Sequence, residues 1–195
     1  MKNADSSATY KVVMLGNSGV GKTALIERIT HDEFVVAHVA TVGAQYSTVD
    51  FTIQKKKITL ELWDTAGQEI FRSLVSFYAR DAKGVFLVAD ITQDGTLTDL
   101  ERWKDFIKEQ APDAQVILFA NKHDLNDQRV VKEEDFENFA KEYNYYYMEG
   151  SAKTNEGVQD GFVRMAELVS EKIMEKGEQE SSVKLKDAEE SKPCC

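Results

Sequence analysis

Residues Gly16 to Thr23 read GNSGVGKT, a complete Gly-x-x-x-x-Gly-Lys-Thr run. The string before it, YKVVMLG (Tyr10 to Gly16), is a short apolar run ending in glycine and reads as a buried strand. The string after it, KTALIERI (Lys22 to Ile29), spaces Ala24, Leu25 and Ile29 for one face of a helix. Strand, glycine-rich loop and helix form the context in which such a loop cradles phosphate. The glycines let backbone N–H groups turn inward around phosphate oxygens, where a side chain would obstruct them. The helix N-terminus adds partial positive charge. In that arrangement Lys22 reaches the β- and γ-phosphates and the Thr23 hydroxyl ligates Mg²⁺. Asn17, Ser18, Gly19, Val20, Gly21 and Ala24 complete the expected cradle.

Beyond the loop, Thr30 to Ala44 shows no clean period and reads as a connection. Two strands follow, Ser47 to Ile53 and Ile58 to Asp64, separated by Gln54 to Lys57 and therefore expected to pair antiparallel. The Lys55-Lys56-Lys57 run reads as a solvated turn. Strands then alternate with helices: strands at Gly84 to Ile91, Gln115 to Lys122 and Tyr145 to Glu149, helices at Thr96 to Gln110, Lys132 to Tyr143 and Asn155 to Lys176. That rhythm predicts an α/β three-layer sandwich: a six-stranded, mostly parallel sheet with one antiparallel edge strand and about five helices over both faces. Such sheets take ligands at the carboxyl ends of their strands. The expected organisation is a flexible stretch over 1–9, one domain over 10–176 and a disordered tail over 177–195.

Charge and cysteine usage exclude several classes. The net charge of −10 repels nucleic acid. No apolar run approaches the roughly 18 residues of a membrane span, and MKNADSSATYK lacks the apolar centre of a secretory signal. The two cysteines, Cys194 and Cys195, are the last residues and cannot staple the body of the fold. A cytoplasmic setting is the expectation.

The cradle does not name the nucleotide. NKHD at Asn121 to Asp124 resembles the base motif of the Ras-like small GTPases, and SAK at Ser151 to Lys153 resembles their second base loop. The chemistry agrees with the resemblance, since a carboxylate can accept from guanine N1–H and N2–H₂ and adenine offers neither. The resemblance implies that Asp124 selects guanine and that Asn121 ties the loops together. It also lays Lys122 and Lys153 along the base and puts the Ala152 N–H at guanine O6. WDTAGQE (Trp63 to Glu69) resembles the second switch of the family. Asp64 would hold Mg²⁺ through water, the Gly67 N–H would bind the γ-phosphate, and Gln68 would orient the attacking water. With no arginine placed to act in cis, GTP hydrolysis is expected to be slow and to be stimulated by an activating protein. In the first switch, Thr41 aligns with the threonine that completes the Mg²⁺ shell in the GTP state, and Phe34 with the aromatic against guanine.

Within that family the chain is most similar to the Rab branch, over WDTAGQEIFRSL (Trp63 to Leu74), YARDA (Tyr78 to Ala82), LVADIT (Leu87 to Thr92) and the terminal Cys-Cys. Tyr46, Trp63 and Tyr78 align with an aromatic triad at the effector surface. The departures are VGAQY (Val42 to Tyr46) for IGVDF, Ile70 for an arginine, Ala79 and Ala89 for tyrosines, and His38 where many relatives carry tyrosine. The resemblance implies a GTP/GDP switch of vesicle traffic served by an exchange factor, an activating protein, a dissociation inhibitor and effectors. It also implies prenylation of both Cys194 and Cys195. One lipid chain binds membrane only marginally, and the tail from Lys176 has four Lys against five Asp/Glu and so offers no basic patch. A GTP-binding scaffold or another Ras-superfamily regulator with little intrinsic turnover, and a P-loop ATPase or kinase, are the alternative readings.

Overall fold

The computed structural model describes residues 7–35, 41, 44–65 and 72–172. Six strands form one sheet: β1 (Ala8–Leu15), β2 (Ala44–Ile53), β3 (Lys56–Thr65), β4 (Gly84–Asp90), β5 (Gln115–Asn121) and β6 (Tyr146–Glu149). Their spatial order is β2-β3-β1-β4-β5-β6. β2 pairs antiparallel with β3, and every other pairing is parallel. The helices are α1 (Lys22–His31), α2 (Arg72–Ala79), α3 (Thr96–Gln110), α4 (Glu133–Glu142) and α5, whose described residues are 158–172. The sheet and the antiparallel edge strand agree with the expected fold class.

Side-chain alternation explains the layers. The central strands are buried on both faces, so β4 reads Gly-Val-Phe-Leu-Val-Ala-Asp with every residue buried. Val13, Leu15, Val85, Leu87, Val116 and Leu118 point into the core beneath α2, α3 and α4. Val12, Met14, Phe86, Val88, Ile117 and Phe119 point the opposite way, into the core shared with α1 and α5. β3 is covered on one face only. Ile58, Leu60 and Leu62 are buried while Lys57, Thr59 and Glu61 are not, the alternation of a half-covered strand.

Some boundaries moved, for local reasons. β2 begins at Ala44, inside the segment expected to be a connection, because Ala44 and Gln45 pair with Thr65 and Asp64. The final helix starts at 158 rather than 155, since Asn155 (φ 65°) and Gly157 (φ 68°) are left-handed. Helix α2 has no counterpart in the sequence reading. It is eight residues long, and among its described side chains Val75 and Ala79, one turn apart, are the buried pair. The tail, including Cys194 and Cys195, lies outside the described residues, as do residues 1–6 and 36–40, His38 among them.

The hairpin between β2 and β3 is tighter than expected. Ile53 pairs with Lys56, so the turn contains two residues, Gln54 (φ 48°) and Lys55 (φ 66°), both left-handed. That is the type I′ geometry, which favours Asn-Gly and disfavours residues with long side chains. Replacing Gln54-Lys55 by Asn-Gly is expected to stabilise the fold by about 1 kcal/mol. Thermal unfolding should then shift up by about 2–4 °C for a chain of this size, and an unchanged or lowered Tm would show that the turn carries no strain.

Candidate functional site

The carboxyl ends of β1, β3, β4, β5 and β6 lie along one edge of the sheet, and the motif loops leave from there. They enclose a cavity of about 620 Å³, the size of small-molecule and cofactor sites. Its walls bring together the loop between β1 and α1, Phe34, Thr41, the loop after β5 and the loop after β6.

The loop between β1 and α1 is shaped by two close approaches. A Cβ on Gly16 (φ 137°) would stand 2.2 Å from the Val88 carbonyl oxygen, so the chain can pass β4 only as glycine. A Cβ on Gly21 (φ 104°) would stand 2.2 Å from Asn121 Nδ2. The Lys22 ammonium, almost wholly buried, donates to the carbonyls of Gly16 and Asn17, both at 2.8 Å. Burial pulls its pKa down to about 8, partly opposed by the negative charge of Asp64. Ser18, Gly19, Gly21, Lys22, Thr23 and Ala24 line the cavity. The side chains of two other expected cradle residues face elsewhere. Val20 packs into the α1/α5 core. Asn17 faces α3, donating to Asp99 at 2.5 Å and accepting from the Trp103 indole N–H at 2.8 Å.

Thr23, Thr41 and Asp64, 41 residues apart at the extremes, meet at one point. The Thr23 hydroxyl donates to Asp64 Oδ2 at 2.6 Å, Thr41 donates to the same oxygen at 3.2 Å, and the two hydroxyls are 3.0 Å apart. The other carboxylate oxygen, Oδ1, is buried and has no hydrogen-bond partner among the described residues. Burial pushes the Asp64 carboxyl up, against the opposing hydrogen bond from Thr23, the charge of Lys22 and the hydrogen bond from Thr41. A buried carboxylate with an orphaned oxygen beside two hydroxyls is a donor set that suits a small, hard cation such as Mg²⁺, which takes oxygen ligands and completes its shell with water and phosphate.

At the other end of the cavity, Asn121 joins three segments. It is buried, its Nδ2 donates to the Val20 carbonyl at 2.8 Å, and its Oδ1 accepts from the Ala152 N–H at 3.1 Å. The tie expected of Asn121 is therefore present. The Ala152 N–H, which the resemblance assigned to guanine O6, is engaged by Asn121 in this structure. Ser151 Oγ donates to Asp124 Oδ1 at 2.6 Å, and the Lys153 ammonium lies 3.3 Å from Asp124 Oδ2. Burial raises the Asp124 pKa, but the hydrogen bonds from Ser151 and Lys153 outweigh it and hold the carboxyl below its usual range. Asp124 is thus an ionised acceptor at neutral pH.

Several partners were not evident in the sequence. The Lys122 ammonium pairs with Asp90 at the end of β4, at 2.5 Å. Arg28 of α1 holds the second base loop by donating to the carbonyls of Ala152 and Lys153, at 2.9 and 3.1 Å. Thr65 and Leu125 also line the cavity. Of these, Asp90 and Thr65 sit in the quoted LVADIT and WDTAGQE strings, where their neighbourhood was the available signal. Gly67 and Gln68 lie outside the described residues.

Away from the cavity, Trp63 contacts Tyr46 edge-on with ring centroids 5.2 Å apart and stacks on Tyr78 at 5.1 Å. Phe77 adds an edge contact to Tyr78 and is itself 70% exposed. The three aromatics of the expected triad therefore form one surface across β2, β3 and α2.

Comparison with known proteins agrees with this geometry. Residues 11–171 match the model of the Ras family. The chain is 40% identical over 164 residues to Ras-related protein SEC4 of Saccharomyces cerevisiae, an overlap that covers 84% of this chain and 76% of that protein. The chain belongs to the Ras family and is, within it, a Rab-type small GTPase of vesicle traffic.

Proposed function

We infer that the cavity holds GTP or GDP in a defined pose, phosphates in the Gly16–Thr23 loop and guanine between Asp124 and Phe34. The observation that carries this reading is the meeting of three chemistries at one cavity: the Lys22 ammonium, the Thr23 and Thr41 hydroxyls backed by buried Asp64, and the ionised Asp124 carboxylate. Asp124 accepts from guanine N1–H and N2–H₂, while Ser151 and Lys153 fix its two oxygens. Asn121 keeps the phosphate loop and the base loops at a constant separation. Lys122 and Lys153 flank the base, and Ala152 stands at its edge.

Thr23, Thr41 and Asp64 would hold Mg²⁺, which when bound neutralises charge on the β- and γ-phosphates. The chain's own residues do the rest. Lys22 neutralises phosphate charge, the Gly67 N–H binds the γ-phosphate, and Gln68 orients the attacking water. Glutamine is a poor base, so its role is positional, and an arginine from an activating protein would supply further stabilisation. When the γ-phosphate leaves, Thr41 and Gly67 lose their contacts to it, and partners reading that surface are released. Exposed Phe77 and the Tyr46–Trp63–Tyr78 surface suit an effector that buries aromatic rings. Among the described residues no helix is long and apolar enough to cross a membrane. Attachment to the cytosolic face of intracellular membranes would come from prenyl groups on Cys194 and Cys195, with a dissociation inhibitor extracting the protein into the cytoplasm. Residues 10–176 would form the nucleotide domain and 177–195 its tether.

Competition between GTP and ATP tests the base assignment. The wild-type chain should prefer GTP strongly, and Asp124→Ala should lose about 1.5–3 kcal/mol for each charge-assisted hydrogen bond removed, at least tenfold in affinity. In the same preparations, Gln68→Leu should slow single-turnover hydrolysis while leaving GTP affinity in place. An unchanged GTP preference in the Asp124 variant would overturn the pose.

Lys22 predicts a pH dependence. Its pKa is about 8 in the free protein, and phosphate oxygens at the ammonium would raise it. The bound state then holds more protons above that value, so affinity should fall as pH rises past about 8, by up to about tenfold per unit. Titration of GDP affinity from pH 7 to 9 checks this against Lys22→Gln, which should bind weakly and without that contribution to the slope. Finally, the chain carrying both Cys194→Ser and Cys195→Ser should leave the membrane fraction of cells, and unchanged membrane association would refute double lipidation.

A further inference from the structure

His123 lies inside the base motif, between Lys122 and Asp124, yet it does not line the cavity. Its ring stands between two carboxylates. Nδ1 is 3.1 Å from both carboxylate oxygens of Glu156, and Nε2 is 3.7 Å from Glu149 Oε2. These glutamates bracket the second base loop, Glu149 ending β6 and Glu156 following Asn155. Backbone contacts close a ring around the same loop. The His123 N–H donates to the Gly150 carbonyl at 3.0 Å, and the Ser151 N–H donates to the Glu156 carbonyl at 2.9 Å. Ser151 in turn holds Asp124.

The other charged groups around His123 are committed. Arg129, which follows the 3₁₀ turn His123–Gln128, makes a bidentate pair with Glu149 at 2.9 and 2.6 Å. The Tyr147 hydroxyl of β6 also donates to Glu149. Burial raises the Glu149 carboxyl, but the hydrogen bonds from Arg129 and Tyr147 win and hold it below its usual range. Glu133, in the first turn of α4, adds negative charge near Arg129 and Tyr147. Lys122 is paired with Asp90, and Asp124 with Ser151 and Lys153.

A neutral imidazole can donate from Nδ1 to Glu156, whereas an imidazolium also carries an N–H and positive charge at Nε2, at ion-pair distance from Glu149. We propose that His123 is a positioning residue for the guanine base: its protonation bridges Glu156 to Glu149, stiffens the loop that presents Ser151 and Asp124, and slows nucleotide release as pH falls. The proposal rests on the assignment of Asp124 and Ser151 to the guanine edge. It deepens that assignment by making residence time, rather than base identity, depend on proton concentration, to be read between about pH 8 and 5.5.

The test is the release rate of N-methylanthraniloyl-GDP from the full chain with Mg²⁺ and excess GDP, across that pH range. Wild type should release about two- to fivefold more slowly at the acid end, the range set by a part-exposed ion pair. His123→Lys, charged throughout, should be slow and flat; His123→Asn should be fast and flat. Glu156→Gln should flatten the slope while leaving the Arg129–Glu149 pair intact. A flat wild type, or a slope that survives in His123→Asn and so belongs to another group such as Lys22, overturns the proposal. The GTP-against-ATP competition on Asp124→Ala separates the two failures. If it abolishes the GTP preference and the slope is absent, His123 alone is misassigned; if the preference persists, the underlying pose is wrong.

Discussion

The Asn121 side chain is the contact on which the site's dimensions depend. One amide bonds the Val20 carbonyl of the phosphate loop and the Ala152 N–H of the second base loop, and it is buried against water. A buried amide that loses a partner leaves an unsatisfied group behind, at roughly 1–3 kcal/mol, so each loop resists displacement by the other. Gly21 exists for the same reason, since a side chain there would occupy the space of Asn121 Nδ2. The distance from the phosphate cradle to Asp124 is thus set by a side chain that need not touch the ligand.

The remaining framework is organised around that fixed point. Arg28 joins α1 to the base loop, Lys122 returns to β4 through Asp90, and Arg129 returns to β6 through Glu149. Each is an opposite-charge or charge-to-carbonyl contact in a partly buried place, where such contacts exceed the value of surface pairs. By contrast, the oxygen cluster of Thr23, Thr41 and Asp64 joins the first turn of α1 and the end of β3 to a residue between α1 and β2. In the proposed pose, a change in ligand phosphates would be transmitted through Thr41 while the base end stays in place.

Legibility in the sequence followed the range of the interaction. GNSGVGKT, NKHD and SAK are loops whose chemistry is carried by consecutive residues, and the structure gathers Lys22, Thr23, Asp124 and Ser151 into one cavity. Strands β4 and β5 were legible because both faces are buried, which writes a continuous apolar run. Helix α2 was not, since one buried i,i+4 pair among exposed Leu74 and Phe77 leaves no stripe to detect. Nor were the pairs Lys122–Asp90, Arg129–Glu149 and His123–Glu156, which join residues 20 or more positions apart in a chain rich in both charges. Composition says that such charges exist; register decides which of them meet. The turn between β2 and β3 was legible at Gln54 to Lys57, but its tightness was not, because Gln54-Lys55 contradicts the conformation it adopts.

The loop between β1 and α1 is riveted through the end of the sheet. Val20 is packed into the core on one side, beneath α1 and α5. Asn17, three residues earlier, is bonded to Asp99 and Trp103 of α3, on the other side. Neither core can relax without pulling on the cradle between them. Under the proposed pose, folding stability and nucleotide residence would draw on the same packing, and a methyl group lost in either core would reach the phosphates as a change in the spacing of backbone N–H groups.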